Sequence, residues 1–171
     1  VNLVTRDGGD EWNGRAAYET DRPMGENDDF GLDRFVLGAD GPLPAGIRLL
    51  AVADLSGRLD ADPVNAPRAG NPRDPRSEGS RMLPHNSAEQ SDVAAKLTIP
   101  LGARQTLRIL GLRSTDQRLL YDQAYKYDQD LAPVRRTRGY LVNGHLQRTF
   151  PGPDITTDLR VGYFDREFLR G

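Results

Sequence analysis

Residues 140–150 (YLVNGHLQRTF) alternate with a period of two. Tyr140, Val142, Gly144, Leu146, Arg148 and Phe150 fall on one parity, mostly apolar; Leu141, Asn143, His145, Gln147 and Thr149 fall on the other, mostly polar. Successive side chains of a strand point to opposite faces, so this is a strand with one oily and one wet face. The same rhythm recurs along the chain. Ile155, Thr157, Leu159, Val161 and Tyr163 oppose Thr156, Asp158, Arg160 and Gly162. Leu49, Ala51, Ala53 and Leu55 oppose Arg48, Leu50, Val52 and Asp54. Val93, Ala95, Leu97 and Ile99 oppose Asp92, Ala94, Lys96 and Thr98, while Phe35, Leu37 and Ala39 oppose Arg34, Val36 and Gly38. Trp12, Gly14, Ala16 and Tyr18 oppose Asn13, Arg15, Ala17 and Glu19. Thr106–Ser114 is also extended, but its face is ambiguous: Leu107 and Ile109 sit on one parity and Leu110 and Leu112 on the other, a mismatch that a bulge could explain. Helical periodicity is poor throughout, so the chain reads as all-β with seven strands.

The connections alternate in length. Residues 40–46, 100–105 and 151–154 are tight; residues 20–31, 57–91 and 115–138 are long. That is the signature of an antiparallel up-and-down meander with one plain edge and one elaborated edge. The longest connection, 57–91, is rich in Pro, Arg, Asn and Gly and is expected to be the least ordered. Long unstructured loops are uncommon in compact soluble domains but normal on the outer side of outer-membrane barrels.

Composition removes several classes. The 171 residues suit one domain, and a net charge of −2 gives no field to attract nucleic acid. With no Cys and two His, disulfide scaffolds, thiol nucleophiles and Cys- or His-rich metal sites drop out. The longest apolar run, Leu49–Ala53, is far short of the roughly 20 residues of a membrane helix. No nucleophile–His–acid arrangement can be argued, and neither enzyme activity nor a cofactor is expected. The chain opens on Val1 without a leader pattern, as a mature product or a piece of something longer would.

Two architectures fit alternation of this kind. In a soluble carbohydrate-binding β-sandwich, each oily face packs on a second sheet. In a partial transmembrane β-barrel, the oily face meets lipid. The oily faces here are often small residues bracketed by aromatics, as in Trp12…Tyr18 and Tyr140…Phe150, which suits a lipid-facing band with interfacial rings. The 11 residues of 140–150 also match the about 9–11 of a tilted membrane strand.

The first residues, VNLVTRDGGDEWNG, resemble the plug-to-barrel junction of TonB-dependent outer-membrane receptors. That family closes its plug with a V-N-[IL]-x-[ST]-[KR]-x-G strand and opens its barrel with N-E-[WF]-x-G. Asp10 stands where Asn is usual, and Asn13 where His is common. Gly41-Pro42-Leu43 resembles the family's first periplasmic turn, with Asp40 in place of a Gly. The resemblance implies that residues 1–9 are the last plug strand and residues 10–171 the N-terminal part of a barrel of about 22 strands, with 57–91 an extracellular loop. It implies a place in the bacterial outer membrane and uptake of a scarce ligand such as a metal chelate, a cobalamin or an oligosaccharide. The partners would be lipid, TonB through the missing plug, and that small molecule. Another outer-membrane barrel, a porin or adhesin, remains open. Gly8 and Gly9 read as a permissive turn between plug and wall.

Several side chains are candidates for roles in such a wall. Trp12, Tyr18, Tyr140, Phe150 and Tyr163 would sit at the lipid interfaces. Arg15, Glu19, Arg34, Arg48, Asp54, Lys96, His145 and Arg160 would face the lumen, as cross-strand ion pairs or contacts to the plug, with Arg34 and Arg48 able to touch an anionic ligand. Tyr121, Tyr125 and Tyr127 could stack on a ligand at the outer mouth. The acids of 25–29 and 122–130 do not have the spacing of a calcium loop, and His85 reads as a solvated loop residue.

Overall fold

A computed structural model describes residues 6–24, 30–60, 86–125, 128, 131–152 and 155–171. Those residues form one antiparallel sheet of seven strands in consecutive order. The strands are β1 (Asn13–Thr20), β2 (Asp33–Pro42), β3 (Arg48–Arg58), β4 (Ala88–Pro100), β5 (Gln105–Leu119), β6 (Val134–Phe150) and β7 (Ile155–Arg170). The helical pieces lying wholly within the described residues are three 3-10 turns of three residues each, Leu131 ends another, and no helix among the described residues is long and apolar enough to cross a membrane. No second layer covers either face among the described residues, which form one sheet and not a sandwich.

The strands run further than alternation suggested. The long connections shrink to 21–32, 59–87 and 120–133, and all three leave the same edge. The tight ones, 43–47, 101–104 and 151–154, leave the other. Residues 25–29 and 61–85, including most of the expected mobile loop and His85, lie outside the described residues. The roots of two long connections are tied together. The Asp21 carboxylate accepts the Phe30 and Leu32 backbone N–H groups at 2.7 and 2.9 Å, and the Phe30 carbonyl accepts from Leu59 and Asp60.

β5 contains no bulge. Gln105 to Leu119 pairs without interruption with Arg148 to Val134. Leu110 and Leu112 therefore lie on the wet face, opposite Asn143 and Leu141. Alternation could not foresee this, because apolar side chains on a polar face need a neighbour to cover them, and the neighbour lies elsewhere in the chain.

The register assigns every strand residue to a face, since directly paired residues share one. Tyr18 pairs Phe35, Phe35 pairs Leu55, Leu49 pairs Leu97, and Leu146 pairs Leu159. Following these pairs, Tyr18, Phe35, Leu49, Ala51, Leu97, Val142, Leu146, Leu159, Val161 and Tyr163 all fall on one face. None of them is buried; Val142 is 51% exposed and Val161 66%. The two largest fully buried side chains are instead polar, Thr98 and Asp60. The usual distribution of a soluble protein is reversed.

The apolar band does not run straight across the ladder. On β1 it spans Trp12 to Tyr18, and on β7 Ile155 to Tyr163. Traced back through its partners Val142, Gly111, Ala95, Ala51 and Ala39, Tyr163 lies level with Gly14, four residues below Tyr18. The upper limit of the band thus slips four residues over six inter-strand steps, roughly 13 Å against 29 Å. That is a slope of about 24°, shallower than the roughly 35–45° strand tilt of membrane barrels. Along β6, the ten steps from Tyr140 to Phe150 cover about 33 Å, and a 45° tilt projects this to about 24 Å, near the height of a barrel's apolar band.

Candidate functional site

The polar face carries the charged network, and the chain's N-terminal segment lies against it. Asp7 is the hub. Its Oδ1 lies 2.7 Å from Lys96 Nζ and accepts a hydrogen bond from Thr98 Oγ1 at 3.0 Å. Arg108 donates to the same carboxylate through Nε at 3.2 Å and to Gln147 through Nη1 at 3.1 Å. Lys96 Nζ also donates to the Arg6 carbonyl. Asp40, almost fully buried, accepts from Arg6 Nη2 at 2.6 Å and from the Gly9 backbone N–H at 3.0 Å. Three residues of the N-terminal segment, Arg6, Asp7 and Gly9, are thereby fastened across β2, β4 and β5.

Gly8 and Gly9 serve this docking in a way the sequence did not show. Neither adopts a left-handed φ, so neither is a turn glycine here. A Cβ on Gly8 would lie 2.3 Å from the Leu49 carbonyl oxygen, and one on Gly9 2.8 Å from Asp40 Oδ2. They are needed because the segment approaches the wall too closely for a side chain.

Burial alone would push the Asp7 carboxyl up. Hydrogen bonds from Lys96, Thr98 and Arg108, with the Lys96 charge, outweigh it and hold the group below its usual 3.8. A folded-state pKa below the unfolded one contributes stability above the unfolded value, and that contribution fades as pH falls through the lower one. Docking of residues 6–9 is therefore expected to be firm above about pH 4 and to loosen in stronger acid.

The other charged candidates lie on the same face. Arg34 is clamped by Asp54, with Nε to Oδ1 at 2.8 Å, and by Glu19 at 3.0 Å. Arg48 reaches Asp10 at 3.5 Å. His145 Nε2 is 2.6 Å from Asp158 Oδ1. Arg15, with Val36, Leu50, Val52, Asp54 and Leu112, lines a cavity of about 500 Å³ whose walls are mostly apolar. Arg160 shares a row with His145 and Arg108. Arg34 and Arg48, proposed together from sequence, are engaged with different acids and do not converge. The apolar wall formed by Leu50, Val52 and Leu112 was missed, because their parity in sequence marks the wet face.

The aromatic candidates lie on the opposite, apolar face, in two lines. Tyr18, Tyr140 and Tyr163 mark its upper limit, with Phe35 stacked on Tyr18 at 4.6 Å between ring centroids. Trp12 and Phe150 mark the lower limit. Arg148 lies 4.5 Å over the Phe150 ring and Arg113 5.8 Å over Tyr140, so cations cap rings at both limits. Trp12 lies flat over Gly41, where a Cβ would come 2.5 Å from Cδ2 of the indole. Gly41→Ala is thus expected to lift the ring. Trp12 is the only tryptophan, so its emission should shift to longer wavelength; an unchanged spectrum would refute the contact.

At the upper edge, the Tyr121 hydroxyl donates to Gln123 Oε1 at 2.7 Å and Tyr125 closes a 3-10 turn, while Tyr127 lies outside the described residues. Tyr121 is occupied locally, and nothing places it with Tyr125 on one ligand surface. No cluster of acids and histidines able to hold a metal occurs among the described residues. Comparison with family models, curated proteins and solved structures returned no match.

Proposed function

We propose that this sheet is a segment of bacterial outer-membrane barrel wall, belonging to a receptor for TonB-dependent uptake of a scarce small molecule. One observation carries the membrane reading: an uncovered apolar band, edged by aromatics and slanting across the ladder. Water is a poor solvent for such a face, and lipid is a good one. The polar face is then the lumen side, and the edge bearing the short connections is the periplasmic one.

The receptor reading rests on the resemblance of the first 14 residues and is supported by where they go. Residues 6–9 enter at the short-turn edge, lie against the polar face and lead directly into β1, as a junction between a plug and its wall would. β1 and β7 run in the same direction, so the sheet cannot close on itself through an antiparallel ladder. An odd number of further strands would be required.

The test is partition. The chain, diluted from urea, should acquire a β-sheet circular dichroism spectrum with phospholipid vesicles present and float with them through a density gradient. A chain that folds to the same spectrum in plain buffer and stays at the bottom of the gradient is not membrane wall.

A further inference from the structure

The register places arginines side by side at the upper limit of the polar face. Arg118 of β5 pairs directly with Arg135 of β6, and Arg135 with Arg170 of β7. Arg58 of β3 lies in the same row, across Ala88. All four are exposed. Like charges directly opposite on a sheet repel, with Cβ atoms about 5 Å apart. Over β5–β7, the top three polar-face rows hold four arginines, Arg118, Arg135, Arg166 and Arg170, against one acid, Asp116. Asp116 is already taken by Arg118, at 3.0 Å. Arg58, Arg135 and Arg170 have no acidic partner among the described residues. A cleft of about 180 Å³ opens at the same level, lined by Arg58, Arg118, Ser56, Gln90 and Asp116.

We propose that this row is a binding site for a multiply charged anion bearing phosphate or carboxylate groups. The row lies on the face opposite the apolar band, so the anion comes from solution at the mouth and not from a lipid headgroup. Guanidinium forks match both oxyanion types in bidentate geometry. Ser56 adds a neutral hydroxyl beside them, and Gln90, whose Nε2 donates to Asp92 at 2.6 Å, has one amide hydrogen left. An anion spanning the row relieves the repulsion that the empty row must bear. The inference deepens the uptake reading by naming the charge class of the ligand, and it rests on that reading only for which side of the wall is the lumen.

Pyrophosphate is the probe, titrated calorimetrically into the full chain refolded in zwitterionic micelles. Saturable binding is expected, weakening steeply with salt. Arg118→Gln, Arg135→Gln and Arg170→Gln together should weaken it at least about tenfold, the scale of one lost charge-assisted contact or more. Arg104→Gln, an equal charge change in a turn at the opposite edge, should leave it intact. Because the triple variant removes repulsion, it should be as stable as the parent without pyrophosphate, and only the parent should gain stability with it. Absence of saturable binding to refolded chain, or equal binding by the triple variant, overturns the proposal. So does displacement of pyrophosphate by phosphatidic acid in the same micelles, which would put the site on the lipid side. If the chain instead folds in plain buffer and still binds through these arginines, the membrane reading falls and the anion site stands.

Discussion

Val142→Arg should destabilise the folded chain in vesicles by about 2–4 kcal/mol, whereas Asn143→Arg should cost less than about 0.5 kcal/mol. The two positions are neighbours in β6 and differ only in the face they occupy. Val142 pairs with Gly111 and Tyr163 within the apolar band. On the membrane reading, a guanidinium there is driven into hydrocarbon or bends toward a headgroup. Asn143 pairs with Leu110 and Gly162 on the polar face, where an arginine finds water. Urea midpoints of the vesicle-bound variants measure the difference. Equal tolerance would mean that neither face meets lipid.

Asp7→Ala should release the N-terminal segment. The substitution leaves Lys96 and Thr98, both buried, without their shared carboxylate, and takes a counter-charge from Arg108. A fully buried pair broken this way costs about 3–5 kcal/mol; the Asp7 side chain is 27% exposed, so about 2 kcal/mol is expected. Trypsin cutting after Arg6 reports the release, because a docked segment resists cleavage. Gly8→Ala should raise the same cleavage by steric means, its Cβ meeting the Leu49 carbonyl oxygen at 2.3 Å. The advantage of the parent over Asp7→Asn should hold above pH 3.8 and vanish in stronger acid, following the lowered carboxyl. A difference that persists unchanged to pH 2 would exclude Asp7 as the latch.

Much of the wall could be read in one dimension. Alternation in 140–150 places Val142 and Asn143 on opposite faces because a strand has a fixed period, whatever its surroundings. Alternating connection lengths imply the meander, since short loops can join only neighbouring antiparallel strands. The grouping of Arg15, Glu19, Arg34, Asp54, Lys96, His145 and Arg160 on one face follows from the same parity, and the pairing retains it.

What parity could not supply was register, because the relative slip of two strands is set by turn geometry and by packing on both sides. Strand ends moved for that reason: Arg58 and Ala88 still pair, although both looked like loop. The Arg118–Arg135–Arg170 row exists only once three strands are aligned. Asp7, Lys96, Thr98 and Arg108 meet only because the chain folds residue 7 back onto strands some 90 to 100 positions later. Gly8 looked like a flexible joint, and only the closeness of Leu49 shows that its missing side chain is what matters. Periodicity along the chain determined which face each residue takes; contact across the chain decided which residues share a site.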